Sequence, residues 1–95
     1  MPMYVILGHF TDQGARNVKE LLPAFQKNRA NGEKLGIKLH GWYLTQGRYD
    51  FVVLVEAPSA EVMLQQTLTV AGNGMTRSET LRAYPIDEAQ QLLQG

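Results

Sequence analysis

The chain has no cysteine among its 95 residues, which excludes disulfides, iron–sulfur clusters, thiolate zinc sites and cysteine nucleophiles. It also lacks an excess of either charge, because nine Lys and Arg balance nine Asp and Glu. A binder of nucleic acid or of an anionic membrane carries a basic excess, so neither partner is expected. No apolar run approaches the roughly 20 residues that span a bilayer. We expect a soluble, cytoplasmic protein.

The motifs of several common enzyme classes are absent as well. There is no Gly-rich phosphate-binding loop, no Ser-centred nucleophile elbow and no cluster of residues with metal-ligand spacing. We therefore expect no metal and no cofactor. A composition of 44% hydrophobic and 19% charged residues excludes a disordered chain, and the length suits a single domain, residues 1–95, with a thin core.

The first half of the chain predicts a strand followed by an interrupted helix. An apolar run at 4–10 is typical of a strand, and Thr11 or Asp12 can cap a helix after it. Apolar residues then recur at spacings of three and four, which predicts one buried helical face. Pro23 removes a helical hydrogen bond, so we predict a kink or a break near Leu22.

The second half predicts a hairpin, a helix and a last strand. The hairpin turns at Gly47, for which we expect a positive φ. Ser59 can cap the following helix, whose apolar stripe includes Met63, Leu64 and Leu68. The predicted ranges are strands at 38–46 and 51–55, a helix at 60–71, a strand at 77–84 and a short terminal helix at 87–93.

This order of elements predicts an α+β, ferredoxin-like βαββαβ fold, with two helices on one face of an antiparallel four-stranded sheet. Its central strands, the first and the third, have apolar residues on both faces. Two helices cover only one face, and soluble monomers rarely expose a large apolar patch. We favour a second copy as the cover, which predicts a homodimer or a higher even oligomer that forms an α+β barrel. The alternative cover is the terminal helix with Leu92 and Leu93.

Four motifs in order give the chain a family resemblance that covers nearly its whole length. The sequence resembles the GYD domain family, which is named for a Gly-x-Tyr-Asp hairpin, here Gly47 to Asp50. The resemblance implies a place in the dimeric α+β barrel superfamily and carries no settled activity. The motifs are Thr11-Asp12-Gln13-Gly14, the segment from Tyr43 to Val53, Val55-Glu56-Ala57-Pro58, and Thr80-Leu81-Arg82-Ala83-Tyr84.

The hairpin and the end of the first strand hold the candidate acid–base residues His9, Tyr49 and Asp50. Asp at a hairpin corner commonly accepts hydrogen bonds from the N–H groups of the turn, which is the structural role we favour for Asp50. The functional alternative is that Tyr49 and Asp50 project into a subunit boundary and bind a ligand. A similar hairpin occurs in ligand-sensing domains of the leucine-responsive regulator type.

Three further residues are candidates for ligand binding. Trp42 and Tyr43 point to opposite faces of the sheet, so one plugs the core and the other a pocket or an interface. The planar fork of Arg82 suits a ligand carboxylate.

Two classes of function follow from these residues. The first is a small homo-oligomeric module for ligand binding or assembly, with itself and a small organic molecule as partners. The second is a cofactor-independent enzyme of the isomerase, cyclase or monooxygenase type. In the second, His9 or the pair Tyr49 and Asp50 would act in a pocket between the sheet and the helices.

Overall fold

The computed structural model describes residues 1–95 and confirms the predicted ferredoxin-like arrangement. The strands pair antiparallel into one sheet, with the first and third strands in the centre, in the order second, third, first, fourth. In chain order the elements are β1 (Met3–Phe10), α1 (Asp12–Arg16), α2 (Val18–Lys34), β2 (Lys38–Leu44), β3 (Phe51–Glu56), α3 (Ala60–Ala71), β4 (Thr76–Ala83) and α4 (Ile86–Gln94).

The two faces of the sheet have different surroundings. On the side that we call the helical face, central-strand residues pack against α2 and α3 and form the core. The other side, the open face, has an apolar centre because side chains alternate along each strand. The helical face contributes Tyr4, Phe51, Val53 and Val55 to the core, and the open face consists of Val5, Leu7, Tyr43, Val52, Leu54 and Leu81 with their polar neighbours.

The first helical region breaks at Asn17, five residues before the predicted position near Leu22. The Asn17 side chain donates a hydrogen bond to the carbonyl of Gln13 at 2.8 Å, which competes with continued helical pairing. Pro23 lies inside the continuous helix α2. Its missing N–H would have bonded the carbonyl of Lys19, and because Lys19 is exposed, water can hydrate that carbonyl instead.

Backbone contacts hold α1 against the loop that precedes β4. The Thr11 hydroxyl accepts from the Gly14 N–H at 3.1 Å, which confirms the predicted cap, and donates to the Gly74 carbonyl at 2.8 Å. The Thr11 N–H donates to the Met75 carbonyl at 3.0 Å. A Cβ at Gly14 would lie 2.1 Å from that same Met75 oxygen. Only glycine therefore lets α1 approach this loop so closely.

The last two helices differ from the predicted packing. Ser59 caps α3 as predicted, with its hydroxyl accepting from Val62 N–H at 3.2 Å. Met63 is buried, but Leu64 and Leu68 are 57% and 63% exposed, so the inward face of α3 is rotated away from the predicted stripe. The helix α4 has no buried residue, and the alternative in which it covers the open face is wrong. None of the helices combines the length and hydropathy that a membrane crossing requires.

Candidate functional site

The hairpin between β2 and β3 is held by hydrogen bonds within it. Gly47 has φ +118°, as predicted, and a side chain is strained in that conformation. The Thr45 N–H donates to the Asp50 carbonyl at 2.9 Å, and the Thr45 hydroxyl donates to the Tyr49 carbonyl at 2.6 Å. These bonds position Tyr49 and Asp50 at the corner of the sheet.

The carboxylate of Asp50 binds β1 and not the turn that was predicted. Its Oδ2 accepts from the Phe10 N–H at 2.7 Å, while the Asp50 N–H donates to the Gly8 carbonyl at 2.8 Å. The register of β1 against β3 explains this bond. β1 extends past the start of β3, so the Phe10 N–H has no backbone acceptor from that strand. The side chain of Asp50 replaces that acceptor and continues the ladder by one bond.

His9 and Tyr49 come together at this corner. Their ring centroids lie 5.0 Å apart with an interplanar angle of 35°, which is within the range of favourable aromatic pairs. His9 is exposed and Tyr49 is half-buried. The corner thus collects all three acid–base candidates, with one carboxylate oxygen of Asp50 already engaged by the backbone.

Trp42 and Tyr43 lie on opposite faces of the sheet, and the structure decides between them. The Trp42 ring lies on the helical face, 4.8 Å from the ring of Phe25 between centroids. Tyr43 is 56% exposed on the open face. A Cβ at Gly41 would lie 2.7 Å from the Tyr43 ring, so the tyrosine lies flat across the strand. Trp42 is therefore the core residue and Tyr43 the surface one.

Arg82 lies at the opposite end of the sheet from the hairpin corner. Its guanidinium carbon is 4.2 Å from the ring centroid of Tyr84 and 5.7 Å from that of Tyr4, which are cation–π distances. Its Nη1 donates to the carbonyl of Met3 at 3.1 Å and to that of Ala83. The structure thus places Arg82 far from Tyr49 and Asp50.

A cavity of about 100 Å³ lies between the helical face and the helices α2 and α3. His9, Tyr49, Asp50 and Arg82 do not line it. The predicted enzyme site combined a pocket between the sheet and the helices with acid–base groups from His9 or the hairpin, and the structure does not bring those groups to this cavity. His9 does not reach the cavity because side chains alternate along β1, which makes His9 project to the open face. Tyr49 and Asp50 do not reach it because the hairpin lies beyond the strand ends. The apolar lining includes Ile6, Phe25, Ile37, Trp42, Phe51, Val53, Met63 and Val70.

Gln66 is a cavity residue that the sequence analysis missed. Its Nε2 donates to the Asn28 carbonyl at 2.8 Å, and its Oε1 accepts from Asn31 Nδ2 at 2.6 Å. These bonds join α3 to α2 at the roof of the cavity. Its position in the sequence could have indicated this, because Gln66 follows Met63 by three residues and so lies on the same face of the helix.

The open face combines an apolar centre with a charged margin. Among the titratable margin residues, His40 Nε2 lies 2.6 Å from Glu56 Oε1. Nowhere in residues 1–95 do three His, Asp or Glu side chains converge as a metal site would require. The margin carries both signs of charge, and its residues are His9, Lys38, His40, Glu56, Arg77 and Glu79.

The sequence, fold and hairpin agree with one family model. The model of the GYD domain matches residues 4–93. The chain belongs to the GYD domain family. In this GYD domain the hairpin from Gly47 to Asp50 joins β2 to β3 and, through the Asp50 carboxylate, binds the end of β1.

Two known proteins are similar to this GYD domain. A Thermus thermophilus protein named "Glutamine synthetase and cystathionine beta-lyase binding protein" is 32% identical over 87 residues, which are 90% of this chain and 92% of that protein. The crystal structure of FFRP-DM1 superposes with a TM-score of 0.55 at 23% identity, covering 88% of this chain and 100% of that one. The second likeness is one of fold alone.

Proposed function

We propose that this GYD domain is a homodimeric assembly module that binds a protein partner. The observation that carries the proposal is the open face, where apolar side chains from three strands lie together with no helix over them. The central-strand residues Val5, Leu7, Val52 and Leu54 are only half-buried, and Leu81 beside them is 41% exposed. A patch of this kind on a soluble protein marks an interaction surface.

The size of the open face is suitable for a dimer. Four strands about 4.8 Å apart and about 25 Å long give roughly 500 Å² of flat area. Side chains at the margin add accessible surface, which brings the face toward the roughly 800 Å² per partner of a stable interface. Its apolar centre and polar margin also match the usual organisation of an interface.

A second copy is the occupant that the charges favour. The margin contains Lys38 and Arg77 as well as Glu56 and Glu79. In a two-fold interface the same patch meets itself, so a surface with both signs can be complementary to its own copy. The helix α4 leaves the face free, since its Leu92 and Leu93 are 71% and 90% exposed.

The protein partner is proposed from the relative of T. thermophilus, whose name says that it binds glutamine synthetase and cystathionine beta-lyase. That relative matches 90% of this chain at 32% identity. Surfaces outside the dimer interface are available for such a partner, among them the exposed Leu64 and Leu68 on α3.

The dimer is tested by a matched pair of variants on β4. Leu81→Lys places a charge on the open face, and Thr80→Lys places the same charge on the neighbouring residue of the opposite face, where Thr80 is exposed. Light scattering after size exclusion should give twice 10.6 kDa, or a higher even multiple, for the parent and for Thr80→Lys. Leu81→Lys should give the single-chain mass. A parent of single-chain mass at micromolar concentration contradicts the proposal.

The partner is tested by biolayer interferometry. The GYD domain is immobilised, and purified glutamine synthetase and cystathionine beta-lyase from the organism that encodes this chain are passed over it. Saturable binding of either enzyme supports the proposal. Weaker binding by the Leu68→Lys variant would show that α3 contacts the enzyme. If neither enzyme binds at tens of micromolar, the proposed class of partner is wrong while the dimer result stands independently.

A further inference from the structure

The cavity on the helical face continues into a polar recess at the edge of the sheet. The recess has a volume of about 370 Å³ and lies between the second half of α3 and the start of β4. The two spaces adjoin each other, because four residues line both of them. These residues are Thr67 and Val70 of α3 and Thr76 and Ser78 of β4.

Thr76 is the one buried polar residue of the chain, with 9% of its surface exposed. It pairs with Phe10 in the register of β4 against β1, and Phe10 packs against the core, so the Thr76 side chain also lies on the helical face. Its hydroxyl forms no hydrogen bond within the chain. Buried polar groups are normally hydrogen-bonded, so this hydroxyl is available to a partner from outside the chain.

The Thr76 hydroxyl can be reached from the space that Thr76 lines. Among the residues that are not exposed, Trp42 Nε1 is the only unpartnered side-chain polar atom that is closed off from solvent. The Thr76 hydroxyl is unpartnered as well, so it retains accessible surface on the side of the cavity and the recess. A molecule that enters these spaces therefore reaches this hydroxyl and does not reach the Trp42 indole N–H.

The hydroxyl groups beside Thr76 determine which ligand group suits the junction of the two spaces. The Thr67 hydroxyl donates to the Met63 carbonyl at 2.9 Å, so toward a ligand it can only accept. The Thr76 hydroxyl can donate or accept. A ligand hydroxyl matches both residues, because it can accept from Thr76 and donate to Thr67. A ketone or an ether could use only the first of these bonds.

The charged residues that line these spaces are engaged elsewhere or lie at the surface. Arg77 of the recess pairs with His9 in the strand register, and alternation directs its side chain to the open face. Arg29 and Glu33 of the cavity have side chains that are 49% and 59% exposed and that pair with each other at 3.3 Å. A buried ion needs a partner of its own, so the ligand that fits is uncharged.

We propose that the cavity and the recess together bind a compact, uncharged ring with one hydroxyl group, of which phenol is the simplest example. The ring occupies the cavity, and its hydroxyl accepts a hydrogen bond from Thr76 at the junction. The proposal goes beyond the proposed function, because this site lies across the sheet from the dimer surface.

The size and the lining of the cavity suit an aromatic ring. The rings of Phe25 and Phe51 line it with their centroids 5.2 Å apart, and aromatic rings pack favourably against one another at such distances. An apolar cavity of about 150 Å³ binds benzene. This cavity, of about 100 Å³, opens into the recess, so a single ring fits with its hydroxyl at the opening.

The first test compares phenol with toluene, which has the same shape and a methyl group in place of the hydroxyl. Each probe is titrated into the parent chain, and methyl resonances are followed in ¹H–¹³C spectra. Both probes should give saturable shifts of the methyls of Ile6 and Val70, which line the cavity. In the complex with phenol, the Thr76 methyl should show stronger nuclear Overhauser effects to the ring protons beside the hydroxyl than to the proton opposite it.

The second test removes the hydroxyl of Thr76 and keeps its shape. Thr76→Val should weaken phenol binding about fivefold, the fold-change of one ordinary hydrogen bond, and should change toluene binding less than about twofold. The melting temperature should not fall, because the hydroxyl has no partner in the chain. Thr80→Val is the matched control, since Thr80 lies on the same face of β4 but lines neither space, and it should leave both affinities unchanged.

Three outcomes overturn the proposal. If neither probe shifts the Ile6 and Val70 methyls of the parent chain, the cavity does not bind such rings. If the Thr76 methyl lies closer to the proton opposite the phenol hydroxyl, the ring binds in the reverse orientation. Both results come from the parent chain, so they hold even if Thr76→Val fails to fold. If Thr76→Val weakens phenol and toluene equally, Thr76 contributes shape and no hydrogen bond.

Discussion

The carboxylate of Asp50 accepts a hydrogen bond from the backbone N–H of Phe10 at 2.7 Å, forty positions away in the chain. This bond joins the tip of the hairpin to the end of a central strand and extends the β1–β3 ladder past its last backbone pair. It gives Asp50 a structural role by a route that differs from the turn bonds expected of such a residue.

Substitutions of Asp50 separate the hydrogen bond from the charge. Asp50→Ala leaves the Phe10 N–H without its acceptor and should lower the free energy of unfolding by about 1–2 kcal/mol. Asp50→Asn keeps an acceptor oxygen and should lower it by less than about 1 kcal/mol. Urea melts of both variants beside the parent give these values. An Asn variant with parental stability but altered assembly in size exclusion would show that the charge contacts a partner or a ligand.

Gly8 is required by the ring of Phe51. A Cβ at Gly8 would lie 2.0 Å from Phe51 Cζ, and that ring is 4% exposed in the core. Gly8→Ala should therefore lower the free energy of unfolding by about 3 kcal/mol. The control is Gly72→Ala, where φ is −62° and the new methyl makes ordinary contacts, so stability should stay unchanged or rise by about 0.5 kcal/mol.

A second variant identifies the contact responsible. Phe51→Leu makes room above residue 8, so the Gly8→Ala and Phe51→Leu changes should cost less together than the sum of their separate costs. Thermal melts of the four proteins measure the coupling. Strictly additive costs would mean that the methyl group introduced by Gly8→Ala does not act by displacing the ring.

Gln66 links α3 to α2, and its loss should loosen the roof of the cavity. Gln66→Leu leaves the Asn31 amide without its acceptor and should lower the free energy of unfolding by about 1 kcal/mol. The adjacent Gln65 is exposed, so Gln65→Leu is the matched control and should change stability by less than about 0.5 kcal/mol. Equal effects at the two positions would contradict the role of the link.

Removal of residues 86–95 tests the contribution of α4. None of its residues is buried, so the truncated chain should unfold within about 1 kcal/mol of the parent and should keep its dimer. Urea melts and light scattering measure the two quantities. If truncation dissociates the dimer, α4 is part of the interface and the open face alone is insufficient.

Several elements were predictable because their signals are local. The caps at Thr11 and Ser59 and the positive φ at Gly47 depend on a few neighbouring residues. The central positions of the first and third strands were predictable from their apolar residues on both faces. The break in the first helical region lies at Asn17, where the side chain bonds the Gln13 carbonyl, and not near Pro23, which lies inside the continuous helix α2.

The candidate site was less predictable because it depends on contacts between distant parts of the chain. The Asp50–Phe10 bond requires the registers of two strands, which residue types alone do not specify. The inward face of α3 was misjudged because Leu64 and Leu68 are apolar, while the docking angle of the helix turns Gln66 inward. The cavity likewise results from how α2 and α3 sit on the sheet.

The sequence by itself determined the element order, the fold class and the family, since these follow from periodicity, caps and motifs that are short in range. Tertiary structure alone decided that Trp42 faces the helices, that Tyr43 faces outward and that the acid–base candidates lie away from the cavity. The physical reason is that alternation along a strand is a local property. Which face the helices cover, and which donors they leave unpaired, depends on packing between residues far apart in the chain.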